Sequence, residues 1–197
     1  MESGAHNHSL DNQRQEQRLE ALLLKKGVFP VHAKARLSSI EKPPKIRPSF
    51  IWGKVGCGKT YLAVAYLAEE LKNCLHSEYL VAGSRFVRAV DLITQLRSSF
   101  QTRSSPYPQE IVDYFQRYRF LVLDDLGTER DTPLVQESLY SIIDYRAGHL
   151  APTLITSNLS LDQIAGQYGD YGERFASRIA GMGMILEMKG KDRRWQK

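Results

Sequence analysis

The chain has 197 residues, with 27 Lys plus Arg against 22 Asp plus Glu, 42% apolar residues and two cysteines, Cys57 and Cys74. That leaves room for one domain with a real core plus a short appendage, and it excludes a large multidomain machine, a fibrous chain, a disulfide framework and a cysteine-rich zinc site. The net charge of +5 favours contact with a polyanion without establishing one.

No apolar run approaches the roughly 20 residues a membrane span needs. The opening MESGAHNHSLDNQRQEQ also lacks the apolar core of a secretion signal, so a soluble, cytoplasmic protein without a membrane partner is expected. Residues 1 to about 12 are polar and read as a disordered start. The run from Asn12 to Lys26 predicts one helix, with Leu19, Leu22 and Leu23 near one side and Gly27 placed to end it. Residues 41–49, EKPPKIRPS, contain three prolines and predict a linker. The chain thus divides into a partly disordered segment, 1–45, carrying a short helix and the proline-rich linker, and a core over 46–197.

Beyond the linker, short apolar runs alternate with helical stretches. Strands are predicted at 49–52, 78–82, 120–124, 152–157 and 184–188. Helices are predicted over 60–73, around 109–117, around 135–143, and near 161–168 and 172–180. Phe86, Val90, Ile93, Leu96 and Phe100 recur at spacings of four, three, three and four, which adds a helix after the second strand. Strands buried on both faces and separated by helices imply a mainly parallel, three-layer α/β sheet of five strands.

The sharpest local signal is GKVGCGKT at 53–60, which satisfies GxxxxGK[ST] between an apolar strand and a helix. The backbone of Gly53, Lys54, Val55, Gly56, Cys57 and Gly58 can curl so that successive N–H groups point at phosphate oxygens, and the helix starting near Lys59, Thr60 and Tyr61 adds favourable partial charge. Lys59 can reach the β and γ phosphates of ATP, and the Thr60 hydroxyl can ligate Mg²⁺. Cys57 has no evident catalytic partner and reads as a small tolerated residue.

The second signal is RFLVLDD at 119–125, an apolar strand ending in two aspartates. Asp124 is placed to hold the Mg²⁺ shell; Asp125 points differently and can orient or deprotonate an attacking water, with Glu129 as a substitute for that role. The third is PTLITSN at 152–158. Asn158 can contact the water or the γ-phosphate if its strand lies between the other two, although Asn also suits a turn for local reasons.

These elements, with SLYSIIDYR at 138–146, GERFASRI at 172–179 and GKDRR at 190–194, resemble the AAA+ ATPases. The likeness is to the bacterial and phage DNA helicase loaders of the DnaC and DnaI type, close to the IstB-like transposition ATPases. It covers roughly residues 46–194 and implies a P-loop fold without a C-terminal helical lid, ATP and Mg²⁺ as cofactors, and weak ATPase activity in isolation. It also implies a homo-oligomer when active, with Arg178 as the finger that one subunit inserts into a neighbour's site. The expected partners are a replicative DNA helicase and single-stranded or duplex DNA, with Lys72, Arg85, Arg88, Lys189, Lys191, Arg193 and Arg194 as candidate DNA contacts. Two alternatives stay open: a transposition helper acting with a transposase, and a nucleotide-dependent interaction module with negligible turnover.

Overall fold

The structure, a computed structural model, describes residues 3–102, 106–128, 132–190 and 192. Five strands, β1 (Phe50–Gly53), β2 (Ser84–Arg88), β3 (Phe120–Leu126), β4 (Thr153–Ser157) and β5 (Ile185–Met188), form one sheet in the order β2-β3-β4-β1-β5. Every pairing is parallel.

Strand alternation builds the two cores. Phe50, Val87, Leu121, Leu123 and Ile155 face one side, where they pack with residues of α4 (Ala89–Thr102), α5 (Pro108–Arg117), α6 (Pro133–Gly148), α7 (Leu161–Gln167) and α8 (Gly172–Gly181). Their neighbours Ile51, Phe86, Phe120, Val122 and Leu154 face the other, against α1 (Ser3–Lys25) and α2 (Lys59–Asn73). A parallel sheet covered on both faces needs such continuous apolar strands, because neither face meets water.

Three elements depart from expectation. The segment 78–82 is a short helix, α3 (Glu78–Ala82), and the strand β2 follows it. Ser77 caps α3 by accepting from the Leu80 N–H, and Glu78 suits the first turn. Phe86 belongs to β2: Phe86 and Val87 enter opposite cores, as period two requires, and the four-residue step to Val90 is coincidental. The buried stripe of α4 is Ala89, Leu92, Ile93 and Leu96, whereas Val90 and Phe100 are exposed. The first helix begins at Ser3 rather than Asn12, since no proline interrupts the chain before Pro30.

Leu19 and Leu23 are buried against α2, and Val28 and Ala35 join the same core. Just beyond α1, the Lys26 carbonyl accepts from the Phe86 N–H at 3.0 Å, so the N-terminal segment covers part of the outer edge of β2. The proline-rich segment is also fastened: the Tyr66 hydroxyl donates to the Pro44 carbonyl, and the Arg47 guanidinium lies over the Phe120 ring.

Candidate functional site

Strand order creates the site. With β4 between β1 and β3, the loop after β1, the aspartates ending β3 and the asparagine after β4 meet at the carboxyl ends of three adjacent strands, the usual place for a ligand in an open α/β sheet. They line a cleft of about 860 Å³ together with Val31, His32, Ser39 and Ile40 from the N-terminal segment.

The loop from Gly53 to Gly58 turns through conformations that side chains oppose. Gly53 has φ +148° and its Cα faces the Met188 carbonyl, where a Cβ would collide. Gly56 has φ +77°. The loop delivers the chain into α2, whose first residue, Lys59, is buried. Its ammonium donates to the carbonyls of Gly53 at 2.8 Å and Lys54 at 2.9 Å, and to Asn158 Oδ1 at 2.8 Å. Asn158 Nδ2 in turn donates to Asp125 Oδ1 at 3.0 Å. A cation on one side and a carboxylate on the other fix the amide orientation, because the oxygen must accept and the nitrogen must donate.

A second branch runs through Asp124. The Thr60 hydroxyl donates to its carboxylate at 3.0 Å, and the Thr156 hydroxyl donates to the same Oδ1 at 2.6 Å. Thr156 Oγ1 also accepts from the Asp125 N–H at 2.9 Å. This bond replaces a ladder contact, because β3 carries an extra residue against β4 between Leu123 and Leu126. Asp125 sits in that bulge with φ +60°, a conformation aspartate tolerates better than most side chains. The bulge turns the two consecutive carboxylates to different neighbours. Burial pushes the Asp124 carboxyl above its usual range, a shift opposed by the Thr156 and Thr60 hydroxyls, reinforced by Asp125 and countered by Lys59.

The structure therefore gathers Gly56, Gly58, Lys59, Thr60, Asp124, Asp125 and Asn158 around one cleft. Gly53 and Lys54 meet the lysine through their carbonyls, and Val55 and Tyr61 line the cleft, Val55 half exposed at its rim. Cys57 is buried behind the loop. Arg178 does not line the cleft; its Nε pairs with Asp144 of α6 at 2.6 Å on the surface of α8. Glu129 lies outside the described residues, as do Lys191, Arg193 and Arg194. Two contributions escaped sequence reasoning. Thr156 is signalled only by a hydroxyl interrupting an apolar strand, and the cleft wall at 31–40 carries no motif.

The sequence pattern of the IstB-like ATP-binding proteins matches residues 34–197. The chain belongs to that family. It is also 27% identical over 173 residues to the replicative helicase loader DnaI of Bacillus subtilis (strain 168), covering 83% of this chain and 52% of DnaI. The chain thus spans about half the length of that curated relative. The crystal structure of the DnaC helicase loader is 31% identical and superposes with a TM-score of 0.57 over 75% of this chain and 81% of that one. A crystal structure of DnaI, 24% identical with a TM-score of 0.56 over 93% of this chain and 83% of that one, shares the fold. The IstB-like chain is therefore an α/β P-loop protein of the AAA+ type, related to helicase loaders. Among the described residues no helix is long and apolar enough to cross a membrane.

Proposed function

We propose that this IstB-like protein binds and hydrolyses ATP with Mg²⁺, and that it acts as a loader of a replicative DNA helicase, its active site completed by a neighbouring subunit. The observation that carries the chemistry is the continuous network from Lys59 through Asn158 to Asp125, beside the Thr60–Asp124 pair. Oxygen donors are what Mg²⁺ takes, and the Thr60 hydroxyl and Asp124 carboxylate fit it. Bound there, the ion would neutralise charge on the β and γ phosphates.

The rest falls to the protein. Loop N–H groups and Lys59 hold the phosphates, which requires the ammonium to exchange a carbonyl partner for phosphate oxygen. Asn158 and Asp125 orient a water on the γ-phosphorus. Its oxygen forms the new P–O bond as the bond to the bridging oxygen breaks, and Asp125 accepts the proton. Arg178, always charged and forked, would leave Asp144 for the γ-phosphate of the adjacent subunit. Lys72, Arg85, Arg88 and Lys189 remain candidate DNA contacts, with Arg88 and Lys189 paired to Asp91 and Glu187.

Mixing two defective proteins tests the shared site. Lys59→Ala should lose ATP turnover in its own pocket, and Arg178→Ala should bind ATP normally but lose stimulated turnover. Combined under conditions that assemble subunits, they should recover phosphate release, because the intact arginine of the first reaches the intact pocket of the second. No recovery from demonstrably mixed assemblies would remove Arg178 from the reaction. The family match also supports the transposition-helper reading. Capture of the host's hexameric helicase, with a transposase as the competing bait, separates the two.

A further inference from the structure

Two residues of β3 stand opposite one of β4. Leu123 pairs with Ile155 and Leu126 with Ser157, so Asp124 and Asp125 together face Thr156. In such a bulge the extra residue loses its ladder partner. Here the Thr156 hydroxyl replaces that partner: Oγ1 accepts from the Asp125 N–H at 2.9 Å and gives its one hydrogen to Asp124 Oδ1 at 2.6 Å. Thr156 is 1% exposed, so water does not compete for either bond. The far end of the bulge is tied separately, because Ser157 Oγ donates to the Leu126 carbonyl at 2.6 Å and accepts from the Leu159 N–H at 3.0 Å. Thr60 bonds Asp124 and Asn158 bonds Asp125, whereas Thr156 bonds both.

We propose that Thr156 is a positioning residue for ATP hydrolysis, its hydroxyl holding the bulge in the conformation that turns Asp124 towards Thr60 and Asp125 towards Asn158. The proposal rests on the ATP reading above. Asp125 holds φ +60°, which costs free energy for a residue with a Cβ, and the bond from its N–H to Thr156 offsets that cost. Without the hydroxyl the N–H is unpaired, and the backbone gains by turning residue 125 out of this conformation. That change moves the Asp125 carboxylate off Asn158 and withdraws one donor from Asp124. Lys59 keeps its bonds to the loop carbonyls, so the loss falls on the chemical step rather than on nucleotide binding.

The test compares wild type, Thr156→Val, Thr156→Ser and Lys59→Ala. Each is melted, titrated with a fluorescent non-hydrolysable ATP analogue and Mg²⁺, and assayed for single-turnover phosphate release under conditions that assemble subunits; amide hydrogen exchange is followed without nucleotide. Thr156→Val, which removes the hydroxyl at nearly the same shape, should bind the analogue within about twofold of wild type, a loss confined to turnover. It should release phosphate roughly 10–100-fold more slowly, as loss of a group that orients a metal-holding carboxylate predicts. Its Asp125 amide should exchange faster than in wild type, and Thr156→Ser, which keeps the hydroxyl, should restore both. Wild-type turnover by Thr156→Val, analogue affinity that falls as steeply as turnover, or Thr156→Ser as slow as Thr156→Val overturns the proposal. Should Thr156→Val fail to fold, Thr156→Cys, with only a weak donor, takes its place under the same criteria. Absence of analogue binding and phosphate release in wild type overturns the ATP reading and this role together. Turnover that Lys59→Ala loses and Thr156→Val keeps overturns the role of Thr156 alone.

Discussion

Asp124 is 4% exposed and carries its charge among hydroxyls rather than in water. Its carboxyl titrates above the ordinary range chiefly because burial penalises the charged form. Between the unfolded and folded pKa values the folded chain binds more protons, so stability falls as pH rises through that window and the penalty is complete above the folded value. Asp124→Asn removes it. In EDTA at pH 7 the variant is expected to melt higher by roughly 2–4 °C, corresponding to about 1 kcal/mol. The advantage should fade as the pH approaches about 4, and a series of thermal melts across pH checks both sign and window. In the presence of Mg²⁺ the same variant should lose metal-dependent ATP use, whereas Asp125→Asn should retain nucleotide and hydrolyse it roughly 10²–10⁴-fold more slowly, as loss of a general base predicts. Single-turnover phosphate release separates these effects. The loop at 53–60 was legible in the sequence because its constraints are local: glycines where φ is positive, a lysine and a hydroxyl at the start of a helix. Thr156 was not, because its role exists only once β4 lies in register beside the bulge of β3.

At the level of elements, the Arg146 side chain joins parts of the sheet that the chain brings together late. It is fully buried, yet every acceptor is neutral: the carbonyls of Phe115 and Gln116 in the last turn of α5 and of Tyr118 just after it, the Pro152 carbonyl, and the Thr153 hydroxyl at the start of β4. Burial lowers its pKa to about 10, which leaves it charged at neutral pH. One guanidinium on α6 thereby fixes the end of α5 and the entry to β4 in a single geometry. Arg146→Met should lower stability by about 3–5 kcal/mol, since the carbonyls lose their donor inside the fold. Arg146→Lys should recover little, because one ammonium cannot span those acceptors. Urea midpoints at constant slope measure both. The sequence placed this arginine only inside a family-like run, SLYSIIDYR, with no sign of burial. The misplacement of β2 has a related cause: SEYLVA is the more apolar of two short neighbouring runs and SRFVR carries two arginines, yet a cap at Ser77, rather than hydrophobicity, decides which one coils.

Across the whole molecule, the N-terminal segment is bound to the sheet and to α2, and it contributes one wall of the cleft. Leu23, fully buried on α1, is a point where this attachment can be weakened. Leu23→Ala should cost about 2–5 kcal/mol through lost contacts and a residual cavity. Because residues 31–40 follow directly, it should also weaken ATP-analogue binding, which titration of the folded variant would show as a higher Kd with little change in the Lys59 dependence. The parallel three-layer arrangement was readable from alternating apolar runs and helices. Its strand order was not, because β1 contains nothing that names β4 and β5 as its neighbours.

That order bears on how the chain is made. Of the five described strands β1 is synthesised before the others, yet among the described residues it pairs with β4 and β5, the later two, whereas β2 and β3 pair with each other as soon as both have emerged. During synthesis Phe50 and Ile51 must wait, without strand partners, for Ile155 and Ile185. Nascent chains stopped before Thr153 would therefore hold a β2–β3 pair beside an exposed apolar strand, the stage most open to aggregation.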